Sequence, residues 1–272
     1  MTRPTVGIVG AGAMGEIFAH GLLRAGWEPS DLKLAVRRPE RVRDLAHTTG
    51  SLVTLSVTEA ASGSDAVIVA VKPKDIPGVL AEIADVVTPD QVIISIAAGV
   101  PVSVFEEALP GVPVVRSMPN TPSAVDLGMT AYTVGSAANP GHGDRAQSVL
   151  GAVGETIEVQ EDLLDAVTAV SGTGPAYVFL MAEALIEAAI REGLPHHAAE
   201  KLVHQTVRGA GELLSTSDKS AFRLRGEVTS PGGTTAAAMH VLEDGGFRAL
   251  LENAVRSAAE RSSELGDKVS GQ

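Results

Sequence analysis

The sequence contains no cysteine, so disulfides and thiol catalysis are excluded and a reducing cytoplasm is the expected compartment. Aromatics make up only 3% of it, although 44% of residues are apolar. The apolar mass is therefore Ala, Val, Leu and Ile, which suits α/β layers and close-packed helices. Positive charge is also scarce. A net charge of −12 argues against nucleic acid as a partner, and it makes any local cluster of cations informative. No long apolar run stands out; Ala66 to Val71 is far too short to span a membrane, so no membrane partner is expected. High hydropathy without such a run implies that some surface is buried between subunits. The chain enters a strand by Thr5, so no signal peptide is expected. Missing too are H-E-x-x-H, Cys-based metal spacings, a Walker loop and a G-x-S-x-G elbow. His196-His197 sit at an exposed helix start. Glu106-Glu107 read as solvated helix residues, and Glu161-Asp162 as a plain acidic helix start. Neither a metal site nor a catalytic acid pair is expected.

What is present begins with Thr5 to Val9, a short β-branched strand that runs into Gly10-Ala11-Gly12-Ala13-Met14-Gly15. Ile17, Phe18, Leu22 and Leu23 then recur at helical spacing until Gly26, and Leu32 to Val36 forms a second strand. This is a G-x-G-x-x-G fingerprint in its required strand–helix–strand setting. Gly10 serves the turn, Gly12 the approach of backbone to a pyrophosphate, and Gly15 close helix–strand packing. An NAD site would place Asp or Glu at the end of the second strand. Here stand Arg37 and Arg38, with Arg41 and Arg43 close behind. Guanidinium forks match a 2′-phosphate, so NADPH is the expected cofactor and NADH the alternative.

Alternation continues through strands at Ser51–Leu55, Asp65–Val71, Gln91–Ile96 and Val112–Met118, with helices after Pro39 and Asp75. The strand ends Val71-Lys72-Pro73, Ala97-Ala98 and Met118-Pro119-Asn120 should face the cofactor, because ligands gather at the carboxyl ends of an open parallel sheet. Of these, Val71, Lys72, Pro73, Ala97 and Asn120 are the expected contacts. Met129–Val134 and Glu155–Val159, around a helix from Asn139 to Ala152, finish a Rossmann-type doubly wound domain at residue 160.

From residue 161 to 272 the pattern is helical, which makes the fold class α/β with an all-helical second domain. Ser171-Gly172-Thr173-Gly174-Pro175 reads as a break or kink. Ala176–Glu192 is apolar on most sides and needs a partner subunit as cover. Further helices run over His196–Leu214 and Phe247–Leu265, and Gly266–Gln272 should fray. Between them lies Val228 to Glu243, a tight turn entering a helix. Pro231, Gly232 and Gly233 shape the turn, and Ser230, Thr234 and Thr235 place hydroxyls at the helix start. Dipole and unsatisfied N–H groups together make it ready for a small anion.

These blocks resemble pyrroline-5-carboxylate reductases over nearly the whole length. The likeness is carried by Ile8–Gly15, Ala70–Pro73, Ser95–Val100, Met118–Pro122, Ala169–Tyr177 and, most specifically, Val228–Arg248. The resemblance implies reduction of 1-pyrroline-5-carboxylate to L-proline in a homodimer that builds larger rings. It implies that the substrate carboxylate sits on the turn at Ser230, Gly232, Gly233 and Thr234, with the hydroxyl of Thr235 near the ring nitrogen. The chain departs from the family pattern at Gly226, where an acid is common, and at Val57, where some relatives have Asn. Roles at those two positions do not carry over. Two other classes remain open from the residues alone. A β-hydroxyacid dehydrogenase would need a Lys in the long helix, and Ala176–Glu192 has none. A non-catalytic NADPH-binding module would have no use for the turn.

Overall fold

The computed structural model describes residues 3–270, with side chains as far as Gly266. Its contacts divide the chain into two compact units, one running to Thr173 and resumed from Ser257, the other Gly174–Arg256.

In the first unit, strands β1 (Val6–Val9), β2 (Leu32–Ala35) and β3 (Leu52–Thr54) alternate with helices α1 (Ala13–Arg24) and α2 (Pro39–Thr49). Helix α3 (Val57–Ala61) leads to β4 (Ala66–Val69), α4 (Ile76–Ile83), β5 (Val92–Ser95), α5 (Val102–Ala108) and β6 (Val114–Met118). The spatial order is β3-β2-β1-β4-β5-β6, all parallel. The chain winds outward from β1 to β3, then returns to place β4 on the other side of β1. That reversal leaves a crevice at the carboxyl ends of β1 and β4.

Alternate strand residues point to opposite faces. Val6, Ile8, Leu34, Ile68 and Ile94 pack with Phe18, Leu22 and Leu45 on one face. Val9, Val67, Val69 and Ile93 pack with Ile76, Leu80, Ile83 and Phe105 on the other. Both faces are covered, which is why these strands read as unbroken apolar runs.

Strand β7 (Gly128–Val134) joins β6 antiparallel, and β8 (Gly154–Glu158) follows α6 (Pro140–Leu150) to pair parallel with β7. The link from β6 to β7 holds only a 3-10 turn, Thr121–Val125, too short for a parallel crossover, which needs about a dozen residues or more. Asp126 ends that turn in the left-handed region at φ 60° and is held by Arg24 across 2.7 Å, which keeps its carboxyl below the usual carboxylate range.

In each acidic pair one member, Glu106 or Glu161, is tied to distant residues, while Glu107 and Asp162 are exposed as the sequence suggests. Glu106 accepts from the backbone N–H (2.6 Å) and hydroxyl (2.8 Å) of Ser136, fixing the turn after β7. Glu161 accepts from Val102 N–H at 2.7 Å and from the buried Arg116 guanidinium at 3.0 Å. Both contacts are distant in sequence and invisible to local pattern.

Helix α7 (Leu164–Val167) passes into a π-helical turn, Thr168–Gly172, and on into α8 (Gly174–Arg191). The expected break is thus a widening of one continuous helix. Thr168 O accepts from Thr173 N–H at 2.8 Å, the i→i−5 bond of the widened turn, and from its hydroxyl at 3.0 Å, while Ser171 O, which Pro175 has no N–H to meet, accepts from Asn120 Nδ2 at 3.2 Å.

In the second unit, α8 is followed by α9 (His196–Thr216), α10 (Ala221–Glu227) and α11 (Thr234–Asp244). α12 (Phe247–Ser270) starts here and ends in the first unit. It runs through Gly266, where fraying is expected; Gly271 and Gln272 lie outside the described residues. None of α8 is buried, and Phe179 and Leu180 are each 66% exposed. By length and composition the helix Glu161–Arg191 would pass for a membrane span, with 6% of its apolar window buried. The longest uninterrupted apolar run is Ala176–Ala182 rather than Ala66–Val71, and it too falls far short of the roughly 20 residues of a membrane span. Covering each large side chain is worth about 1.5–3 kcal/mol, so such a face calls for a partner.

Candidate functional site

Among the described residues, one helix in each unit, α1 and α11, starts behind a glycine with no side-chain cap. The first such start opens α1. Gly10 N–H and Ala11 N–H both donate to Ala35 O, at 3.1 and 2.9 Å, which folds the chain sharply at the end of β1. The three fingerprint glycines then do different work. Gly10 lies at φ 89°, and a Cβ there would sit 2.5 Å from Val71 Cγ1. A Cβ on Gly15 would meet Gly10 O at 2.7 Å. These two glycines are demanded by the protein itself. Gly12 is not. Its φ of −84° is open to any residue, and a Cβ there would find only Gly10 O, at 3.9 Å. Gly12 and Ala13 are exposed, Met14 is half-buried, and α1 has no side-chain cap. The space that Gly12 keeps clear is thus available to a ligand, and a dinucleotide pyrophosphate fits it.

The neighbouring strand ends follow expectation in place, though not all in availability. Arg37 and Arg38 are 81% and 70% exposed, with only loose partners in Asp75 at 3.6 Å and Glu40 at 3.8 Å. Exposed pairs of this kind are worth about 0–1 kcal/mol, so either guanidinium is free to turn to a phosphate. Arg41 differs from them, since its Nη2 donates to Glu16 Oε2 at 2.6 Å. Arg43 is exposed.

Val71, Lys72 and Pro73 leave the end of β4, with Lys72 exposed, and Ala97 leaves β5 buried. The Asn120 side chain is committed elsewhere. Its Nδ2 donates to Ser171 O (3.2 Å) and Oγ (3.3 Å), and its Oδ1 accepts from Met129 N–H at 2.9 Å. Asn120 therefore braces the π-helical turn and β7, and only its backbone remains for a ligand. Val57 is the first residue of α3, behind the cap Ser56, and packs on the apolar core.

The second start opens α11. Ser230 O accepts from Gly233 N–H at 3.1 Å, closing a four-residue turn with Pro231 second and Gly232 third at φ 69°. Only glycine takes that angle cheaply. Gly233 precedes the helix, and a Cβ on it would lie 2.4 Å from Ser230 Oγ. With Gly at the cap, the first N–H groups of α11 receive no side-chain acceptor. Among the described residues, the hydroxyls of Ser230, Thr234 and Thr235 have no hydrogen-bond partner. The neighbouring Thr229 shows the contrast, donating to Arg225 O at 2.6 Å.

Behind the turn lies a clamp whose role the sequence does not announce. Glu243 Oε1 accepts from Arg225 Nη1 (3.1 Å) and from Arg248 Nη2 (2.8 Å), and Oε2 accepts from Arg248 Nε (2.8 Å). These bonds, those from Arg248 first, hold the Glu243 carboxyl below the usual carboxylate range. The pattern E-D-G-G-F-R was the available signal. Gly226 lies in α10, where a Cβ would meet open space, so nothing within the unit demands a glycine there.

Residues 161–265 match the family model for pyrroline-5-carboxylate reductase dimerisation, and residues 5–99 match that for coenzyme F420-dependent NADP oxidoreductases. A pyrroline-5-carboxylate reductase from Mycobacterium tuberculosis is 42% identical over 96% of this chain and 96% of its own. One from Arabidopsis thaliana is 39% identical over 96% and 95%. Among solved structures, the Coxiella burnetii enzyme superposes with a TM-score of 0.91 at 36% identity, covering 97% of this chain and 99% of its own. The Plasmodium falciparum enzyme, solved with NADP bound, gives 0.88 at 31%, covering 98% and 99%.

Proposed function

Because this chain belongs to the pyrroline-5-carboxylate reductase family, we propose that its two anion-ready helix starts divide the reactants between them. The enzyme is an NAD(P)-dependent oxidoreductase that makes L-proline from 1-pyrroline-5-carboxylate, through a helical domain that forms a homodimer. The dimer accounts for the bare apolar faces of α8 and α9. Assembly of dimers into a larger ring, and a cytoplasmic location for this cysteine-free chain, extend the same reading.

On this proposal Gly10–Gly15 take the pyrophosphate of NADPH, and Arg37 and Arg38 take its 2′-phosphate. Val71, Lys72, Pro73, Ala97 and the backbone of Asn120 border the rest. A bound cofactor would supply the hydride that reduces the C=N carbon of the cyclic imine, the carbon that becomes C5 of L-proline. The protein's own part is to bind and orient. Backbone N–H groups of Gly232 and Thr234, with the Ser230 hydroxyl, hold the substrate carboxylate, while Gly233, whose own N–H is committed to Ser230 O, shapes the turn beneath it. The Thr235 hydroxyl fixes the ring nitrogen. Thr235 is too weak an acid to be a strong proton donor, so it orients the ring and water protonates the nitrogen. The observation that carries this assignment is the uncapped start of α11 with its three unengaged hydroxyls. Fixing the ring in line can lower the barrier by several kcal/mol, on the order of 7 in favourable cases.

The cofactor half is tested by the double variant Arg37→Ala/Arg38→Ala. KM for NADPH should rise about 10- to 100-fold, the worth of one or two charge-assisted bonds, while KM for NADH stays within about twofold. Equal changes for both cofactors would remove the 2′-phosphate role.

A further inference from the structure

Arg41 follows Arg37 and Arg38 closely in sequence, but its surroundings differ. Its guanidinium reaches back to α1 and bonds Glu16 at 2.6 Å, with both side chains about one-third exposed, at 33% and 35%. Glu16 directly follows the last fingerprint glycine, and its own N–H donates to Gly12 O at 2.8 Å. An acid in the first turn suits the helix dipole. It also places a negative charge within one turn of the backbone where a pyrophosphate would bind, and that charge would repel it. His20 lies 3.9 Å from the other Glu16 oxygen, too far for a hydrogen bond. Arg41 is then the cation that cancels Glu16.

We propose that Arg41 is a positioning residue that neutralises Glu16, so that the start of α1 accepts a dinucleotide pyrophosphate, and that it is not itself a phosphate ligand. The proposal rests on the assignment of Gly10–Gly15 to the pyrophosphate. It divides the arginine cluster by function. Arg37 and Arg38 discriminate between cofactors, whereas Arg41 serves NADPH and NADH alike.

The test is direct binding of NADPH and of NADH to the full-length protein, followed by nucleotide fluorescence or calorimetry, with melting temperature as a second readout. Arg41→Ala should weaken both nucleotides by a similar factor, roughly three- to tenfold at low salt, and the loss should shrink as salt screens the freed carboxylate. Glu16→Gln in the Arg41→Ala background should restore binding to near wild type, and Arg41→Lys should retain most of it. A loss confined to NADPH would make Arg41 a 2′-phosphate ligand and overturn the proposal. A loss that Glu16→Gln does not rescue, accompanied by a lowered melting temperature, would make the pair a helix staple and also overturn it. Failure of the underlying assignment shows separately: Gly12→Val would then bind both nucleotides as tightly as wild type.

Discussion

Gly12→Val should abolish useful binding of NADPH and NADH together, by a factor on the order of 100 or more, while leaving the protein folded. The three fingerprint glycines are not equivalent tests. Substituting Gly10 forces a side chain into φ 89° and against Val71, and substituting Gly15 drives a Cβ into Gly10 O at 2.7 Å. Lost binding in either could be lost structure. Gly12 has a negative φ of −84°, and a Cβ there would meet nothing closer than 3.9 Å. Its stability cost should stay within about 1 kcal/mol, the scale of a change at a helix cap. A branched side chain there would hold a pyrophosphate off the backbone and forfeit about two hydrogen bonds to a charged group, each worth roughly 1.5–3 kcal/mol. Binding by fluorescence and unfolding by denaturant separate the two effects. Retained binding would move the cofactor away from α1.

Thr235→Ala should lower kcat/KM for the imine about 10- to 100-fold, with the KM for NADPH little changed. Thr235 is the second residue of α11, half-buried, with a hydroxyl that bonds nothing among the described residues. Its removal costs the fold no hydrogen bond, so the loss reports on substrate alone. The expected size is that of one hydrogen bond to a charged group. Thr235→Ser keeps the hydroxyl and should recover most of the activity. An unchanged kcat/KM in Thr235→Ala would place the residue outside the site.

How far these features could be read from sequence depends on whether they are local. Strands β1, β4 and β5 are buried on both faces, so their apolar runs announce them. Gly10–Gly15 and Ser230–Thr235 are continuous stretches whose turn chemistry is written in adjacent residues. The partners of Glu106, Glu161 and Asn120 are Ser136, Arg116 and Ser171, each brought near only by the folded sheet. No periodicity carries that information. The arginine cluster is intermediate. Four cations in an acidic chain stand out, but only the packing of α2 on α1 shows that Arg41 is spoken for by Glu16. Helix α10 escapes because Gly226 and flanking charges dilute its pattern, and because turn signals bracket it on both sides. The π-helical turn escapes because Gly-Thr-Gly-Pro reads as an ending, whereas the widened turn lets the helix continue past Pro175.

The claim that the start of α11 holds the substrate carboxylate is met most directly by comparing two imines. NADPH oxidation should be followed with 1-pyrroline-5-carboxylate and with 1-pyrroline, which lacks the carboxylate, in wild type and in Gly233→Ala. A Cβ at Gly233 would lie 2.4 Å from Ser230 Oγ and must displace that side chain from the turn. The wild type should prefer the carboxylated imine by about 100-fold or more in kcat/KM, and Gly233→Ala should lose most of that preference while its rate on 1-pyrroline changes little. A Gly233→Ala enzyme that keeps the full preference would contradict the assignment of the carboxylate to this turn.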